Sequence, residues 1–184
     1  IYQKHKISSI HGPMPFNFKN TNLKSLQMLF NMLQGQYDNI QVSYHKFNNL
    51  GISSGIIIGG NLSIICSLIG SETFFNSSKD YILFIEEVDE YLYKLERMIY
   101  TLERAGVFKK IKGLIIGSIT KPLDNQLSFG KTAYEIIHSI VSKYDYPIAF
   151  NFPVGHGKKN YPIMIGSTIE LSININFSKM QYLK

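Results

Sequence analysis

Two carboxylates, Glu86 and Glu87, stand directly after the apolar run Tyr81–Ile85, and a histidine sits between glycines in Gly155-His156-Gly157. These residue types suit acid–base chemistry. A histidine can take and return a proton near neutral pH, and a carboxylate beside it fixes its tautomer and stabilises its cation. Flanking glycines let the backbone approach a substrate closely. An acid and a histidine are two parts of a hydrolase triad, and the third is a nucleophile. Gly51-Ile52-Ser53-Ser54-Gly55 has the G-x-S-x-G spacing, and Ser53, Glu86, His156 follow α/β-hydrolase order. That elbow needs a helix directly after the serine. Ile56-Ile57-Ile58 follows instead, β-branched and strand-forming, so Ser53 is expected to be a turn serine that catalysis can spare.

The other motifs have plainer readings. Gly130-Lys131-Thr132 resembles the end of a phosphate-binding loop, but Asn125 stands where its first glycine belongs. Glu135 and His138 are one helical turn apart, a spacing used by metal sites; a single copy reads as a surface pair. The sequence has no H-E-x-x-H motif and one cysteine, Cys66, read as a small hydrophobe on a helix. Glu86 and Glu87 do not read as a glycosidase pair, because adjacent strand residues point to opposite faces. Arg97 reads as a helix salt bridge, or else as a clamp for a substrate carboxylate.

The elements that must position these groups alternate. Strands are expected at Ile7–Ile10, Ile40–Phe47, Ile52–Ile58, Tyr81–Ile85, Gly113–Ser118, Ile148–Phe150, Ile163–Ile165 and Thr168–Ile175. Helices are expected at Asn22–Gln34, Leu62–Ile69 (capped by Asn61), from about Asp89–Tyr91 to Gly106, and at Thr132–Lys143. In the first helix Leu23, Leu26, Leu29, Phe30 and Leu33 form the expected buried face. The pattern specifies an α/β fold with a mixed sheet and flanking helices. In open sheets of this kind ligands gather beyond the carboxyl ends of strands, where Glu86 and Glu87 fall.

The chain has 184 residues, enough for one good core. Its +6 formal charge is scattered over lysines rather than gathered in a stripe, which disfavours nucleic acid as a partner. The uncharged stretch Leu50–Ser71 is long enough for a membrane span, but its glycines and serines divide it into strand, turn and helix. The opening IYQKHKISSIHGPM reads as the middle of a domain, so the chain is expected to be a fragment that has lost its start.

Several stretches together resemble the LD-carboxypeptidase family, which includes the microcin-immunity peptidases. They are His11-Gly12-Pro13-Met14, Gly59-Gly60-Asn61-Leu62, Ile82–Glu87, Glu96-Arg97-Met98, Ala105-Gly106-Val107 and Pro153-Val154-Gly155-His156, in family order. The resemblance implies a swivelling-type C-terminal domain over residues 21–184, with residues 1–20 as the tail of an N-terminal nucleophile domain and its linker. It implies Glu86 and His156 as the acid and base of a Ser-Glu-His triad, with no metal and no cofactor. The implied enzyme is a cytoplasmic serine peptidase, with no membrane partner and a possible homodimer. Its implied substrate is the muropeptide tetrapeptide, from which it removes the terminal D-alanine. The implied serine lies in a G-x-S-D turn upstream of Ile1, so the chain alone is expected to be inactive. Two alternatives stay open: a non-catalytic binding remnant, and a relative that degrades a peptide–nucleotide antibiotic.

Overall fold

Strand β4 (Tyr81–Val88) runs through the middle of the molecule with nearly every residue out of contact with water. A strand so apolar on both faces must be covered on both, and it is. In the computed structural model, which describes residues 2–74 and 79–183, β4 lies between β3 (Gly51–Asn61) and β5 (Gly113–Thr120), parallel to both. The remaining strands are β1 (Ser9–His11), β2 (Ile40–Ser43), β6 (Ile148–Ala149), β7 (Ile163–Ile165), β8 (Thr168–Ile173) and β9 (Phe177–Tyr182). The main sheet has the order β2-β9-β8-β3-β4-β5-β6, and β1 pairs with β7 separately. Its β3-to-β6 half is parallel and its β2, β9, β8 half antiparallel, so the sheet is mixed as expected.

The parallel half needs crossovers, supplied by α3 (Leu62–Ser67), α4 (Leu92–Arg104) and α5 (Ala133–Val141). Leu92, Leu95, Ile99 and Leu102 of α4 recur at helical spacing and are buried with Ile136, Ile137 and Ile140 of α5; each such side chain contributes about 2 kcal/mol. Alternation along β4 divides the core. Tyr81, Leu83 and Ile85 face these helices. Ile82 and Phe84 face the other way, towards Ile40, Ile57, Leu171 and Met180 and towards Met28 of α2 (Leu23–Leu33). No helix among the described residues is long and apolar enough to cross a membrane.

The sheet curls until its two ends meet. Asn49 forms an antiparallel bridge with Ile148 of β6. The buried Asn48 amide donates from Nδ2 to Ser178 Oγ on β9 at 2.8 Å and accepts the Phe150 N–H on Oδ1 at 2.7 Å. One side chain thus ties one end of the sheet to the other.

Several elements differ from expectation. β2 stops at Ser43, because the chain turns at His45–Asn48 to make this seam. α3 ends at Ser67, and the first strand covers Ser9–His11 rather than Ile7–Ile10. A short helix α1 (Tyr2–His5), a 3-10 turn at Pro15–Asn20 and β9 were not expected. α2 buries Ser25, Met28, Leu29 and Met32, leaving Leu23, Phe30 and Leu33 largely exposed. Ile7, Met14 and Phe16 are exposed as well.

Asn48→Ala removes the tie and leaves the Phe150 N–H buried without a partner. In urea denaturation of the full-length protein it should cost about 2 kcal/mol; an unchanged midpoint would show that the seam carries no stability.

Candidate active site

Glu86 lies one residue from Glu87 in β4, and the two side chains part company as alternation requires. Both belong to the strand itself, which runs on to Val88 rather than ending before them. Glu87 turns to the helix side. Its Oε1 accepts from Asn61 Nδ2 at 2.6 Å and its Oε2 from the Ser63 N–H at 2.9 Å. It thereby joins Asn61, the N-cap, in satisfying the first turn of α3.

Glu86 turns to the opposite face and is completely buried. Room for it is made by irregular pairing: Ile85 aligns with Ile116 but Glu87 with Ile119, so β5 carries an extra residue opposite Glu86. Gly117 sits in that bulge, and a Cβ there would come within 2.5 Å of the Val154 carbonyl oxygen and 3.3 Å of Glu86 Cβ. On the loop side, Gly155 has φ +115° and a Cβ would meet Glu86 Cβ at 2.9 Å. Neither position has space for a side chain.

The loop after Gly155 brings in His156. Its Nδ1 lies 2.7 Å from Glu86 Oε2, joining residues 70 positions apart. The imidazole is 44% exposed while the carboxylate is fully enclosed. With Glu86 ionised, Nδ1 must donate, and the Nε2 lone pair becomes the available base. Burial pushes the Glu86 pKa up, and the hydrogen bond to His156 opposes that shift. Glu86 Oε1 has no partner within hydrogen-bond geometry among the described residues.

The histidine loop is braced from outside. The Tyr161 N–H closes it onto the Pro153 carbonyl at 2.7 Å, and the Gly155 N–H reaches Asn160 Oδ1 at 3.1 Å. The Asn160 N–H donates to Ser25 Oγ at 3.2 Å, and the Asn22 N–H to the Lys158 carbonyl at 3.2 Å. This contact explains the face that α2 buries. The Ser25 hydroxyl has a partner inside, so Ser25, Met28, Leu29 and Met32 turn inward ahead of the leucine stripe.

His11 also belongs to this site. It sits edge-on to Phe84 with ring centroids 5.0 Å apart. Burial first, and the charge of His156 second, lower its pKa to about 4, which leaves it neutral beside the candidate base. In the sequence it stood out only within His11-Gly12-Pro13-Met14, one of the stretches that carry the family resemblance.

The other sequence candidates lie elsewhere. Ser53 lies near the start of β3, paired with Leu171 of β8, and not in a turn. Its Oγ is buried without a partner and faces Gly113. Asn61, at the far end of β3, pairs with Glu86, which puts Ser53 about 26 Å down the strand from the acid. Glu135 completes a capping box with Thr132, and His138 stacks on Phe47 at 4.6 Å. The Arg97 guanidinium lies over the Tyr93 ring at 5.0 Å. The Cys66 thiol is half-buried, and burial and then Glu87 push its pKa up to about 11, so it stays unreactive. Among the described residues no serine hydroxyl bonds the His156 ring, and no group of three or more His, Cys, Asp or Glu gathers as a metal site.

A buried acid and a half-exposed histidine thus meet at the carboxyl ends of parallel strands in an α/β domain. The comparisons give the family. Residues 54–171 match the LD-carboxypeptidase C-terminal domain, and the chain belongs to that family. A murein tetrapeptide carboxypeptidase from Pseudomonas aeruginosa is 24% identical over 94% of this chain and 59% of its own length. The microcin C7 self-immunity protein MccF from Escherichia coli is 26% identical over 71% of this chain and 37% of its own. A crystal structure of muramoyltetrapeptide carboxypeptidase from Oxalobacter formigenes superposes with a TM-score of 0.85 at 23% identity, covering 98% of this chain and 62% of the other. The chain thus spans less than two thirds of each of these proteins.

Two measurements test the site. Nitrogen-15 NMR of the full-length protein near pH 7 should show His156 as the Nδ1–H tautomer, and Glu86→Gln should move it towards Nε2–H; an Nε2–H wild-type ring would break the pairing. The second uses His11, whose folded pKa is depressed below its unfolded value of 6.5. Its contribution is present above pH 6.5 and is lost as pH falls towards 4, because the unfolded chain binds the extra proton. His11→Gln should therefore reduce proton uptake on unfolding near pH 5 by about one proton; an unchanged slope of stability against pH would contradict the assignment.

Proposed function

We propose that this chain supplies the acid and base of a serine-type LD-carboxypeptidase that removes the terminal D-alanine from muropeptide tetrapeptides. The observation that carries the proposal is the enclosed Glu86 carboxylate bonded to Nδ1 of a half-exposed His156. Kinship with a protein named murein tetrapeptide carboxypeptidase supports the substrate. In this mechanism His156 Nε2 takes the proton of a serine hydroxyl as that oxygen attacks the carbonyl of the L-to-D peptide bond. The same nitrogen returns the proton to the departing D-alanine amine, leaving a serine ester. Water, activated by His156, then hydrolyses the ester and regenerates the serine. Glu86 holds the ring in the productive tautomer and stabilises the imidazolium formed in each half-reaction.

The serine belongs, in this proposal, to an N-terminal domain preceding residues 1–20, which form its tail and linker, while residues 21–184 form the C-terminal domain. Ser53 is too deep and too far from the acid to serve.

The test is D-alanine release from a diaminopimelate-D-Ala tetrapeptide by the full-length protein. Glu86→Gln should lower turnover by about 10⁴-fold, and His156→Ala by at least as much. Ser53→Ala should stay within about twofold of wild type, since its hydroxyl is not presented at an elbow. Residues 1–184 alone should release none. Robust turnover by those residues, or a large loss in Ser53→Ala with the fold intact, would mean that the nucleophile is misassigned.

A further inference from the structure

Beside the histidine loop, on its β2 side, lies an open cleft of about 640 Å³. Its walls include His45 just past β2, Ser118 near the end of β5, and Asn151, Gly157, Lys159 and Tyr161 of the loop. Gly157, the residue after the candidate base His156, forms part of this wall. Among the described residues that line the cleft there is no aspartate or glutamate.

The donors in this wall have a defined character. His45 Nδ1 accepts the Phe47 N–H at 3.3 Å, so Nε2 carries the proton and is the ring's free donor. The ring is wedged between Phe150, stacked at 5.9 Å, and Tyr134, edge-on at 5.6 Å. Burial, and then Lys46, lower its pKa, so it donates as a neutral group. Lys159 is exposed and makes no ion pair among the described residues. A ligand that brings its own cation would find no carboxylate here. One that brings a carboxylate finds an ammonium, an imidazole N–H and the amide of Asn151.

We propose that this cleft binds a carboxylate-bearing part of the peptide ligand away from the bond that is cut, with Lys159 as counter-ion and His45 as neutral donor. The peptide nature of the ligand rests on the function proposed above; the preference for a carboxylate rests on the cleft itself.

The experiment is calorimetric titration of the full-length protein with the tripeptide L-Ala-γ-D-Glu-diaminopimelate and with the same tripeptide carrying amidated carboxyl groups. Lys159→Met should weaken binding of the free-acid peptide about tenfold, the loss expected for one charge-assisted hydrogen bond. It should leave the amidated peptide, already the weaker ligand, unchanged. Equal effects on both peptides, no effect on either, or no binding of the free-acid peptide to wild type would overturn the proposal. D-alanine release by wild type is measured in parallel. Lys159-dependent discrimination without D-alanine release would keep the cleft and remove the peptidase function. Release without discrimination would do the reverse.

Discussion

A carboxylate shut away from water is the constraint around which this domain is arranged. Taking a glutamate out of solvent is costly unless something replaces the lost hydration. At Glu86 the replacement on one oxygen is His156 Nδ1. The surroundings hold that geometry rather than soften it. The bulge in β5 and the glycines at 117 and 155 close around the acid, and the loop bearing the histidine is fastened to α2 through Ser25 and Asn22. Removing the histidine would leave a buried, unpaired acid, so the pair is a structural unit as well as a chemical one.

Adjacent placement gives the two acids opposite lives. Glu87 faces the helices and is spent on the first turn of α3, where backbone N–H groups would otherwise lack acceptors. Glu86 faces the inside of the curled sheet and the loops beyond it. A helix cap and a candidate catalytic acid therefore share one strand end, separated only by the pleat.

Much of this was legible in the sequence, for reasons that are local. The unbroken apolar run of β4, the helical spacing of Leu92, Leu95, Ile99 and Leu102, and the cap at Asn61 each signal their element without help from distant residues. Glu86 and His156 were legible because a strand end and a glycine-flanked loop are where such groups gather. The features that were not legible depend on long-range contacts. In β9 the buried positions are Ser178 and Met180, and an inward serine disguises the alternation; its reason is Asn48, 130 positions away. Likewise α2 carries two apolar stripes, and a hydroxyl partnered by Asn160 decides which one is buried. Ser53 was read as a turn serine because Ile56-Ile57-Ile58 denied its G-x-S-x-G spacing the helix that an elbow needs. Gly55 instead sits within β3, where a Cβ would come within 2.7 Å of the Asp80 carbonyl oxygen.

The seam at Asn48 has a dynamic consequence. The sheet is closed there by the side-chain amides of Asn48 and Asn49 and one short bridge rather than by a full ladder, so local opening has a natural starting point at that line. The Phe150 N–H, held by Asn48, stands at the root of the segment that runs to the histidine loop. Breathing of the seam would thus loosen the tether of His156 before it disturbs β4, and amide exchange at Phe150 becomes a gauge of how firmly the candidate base is held.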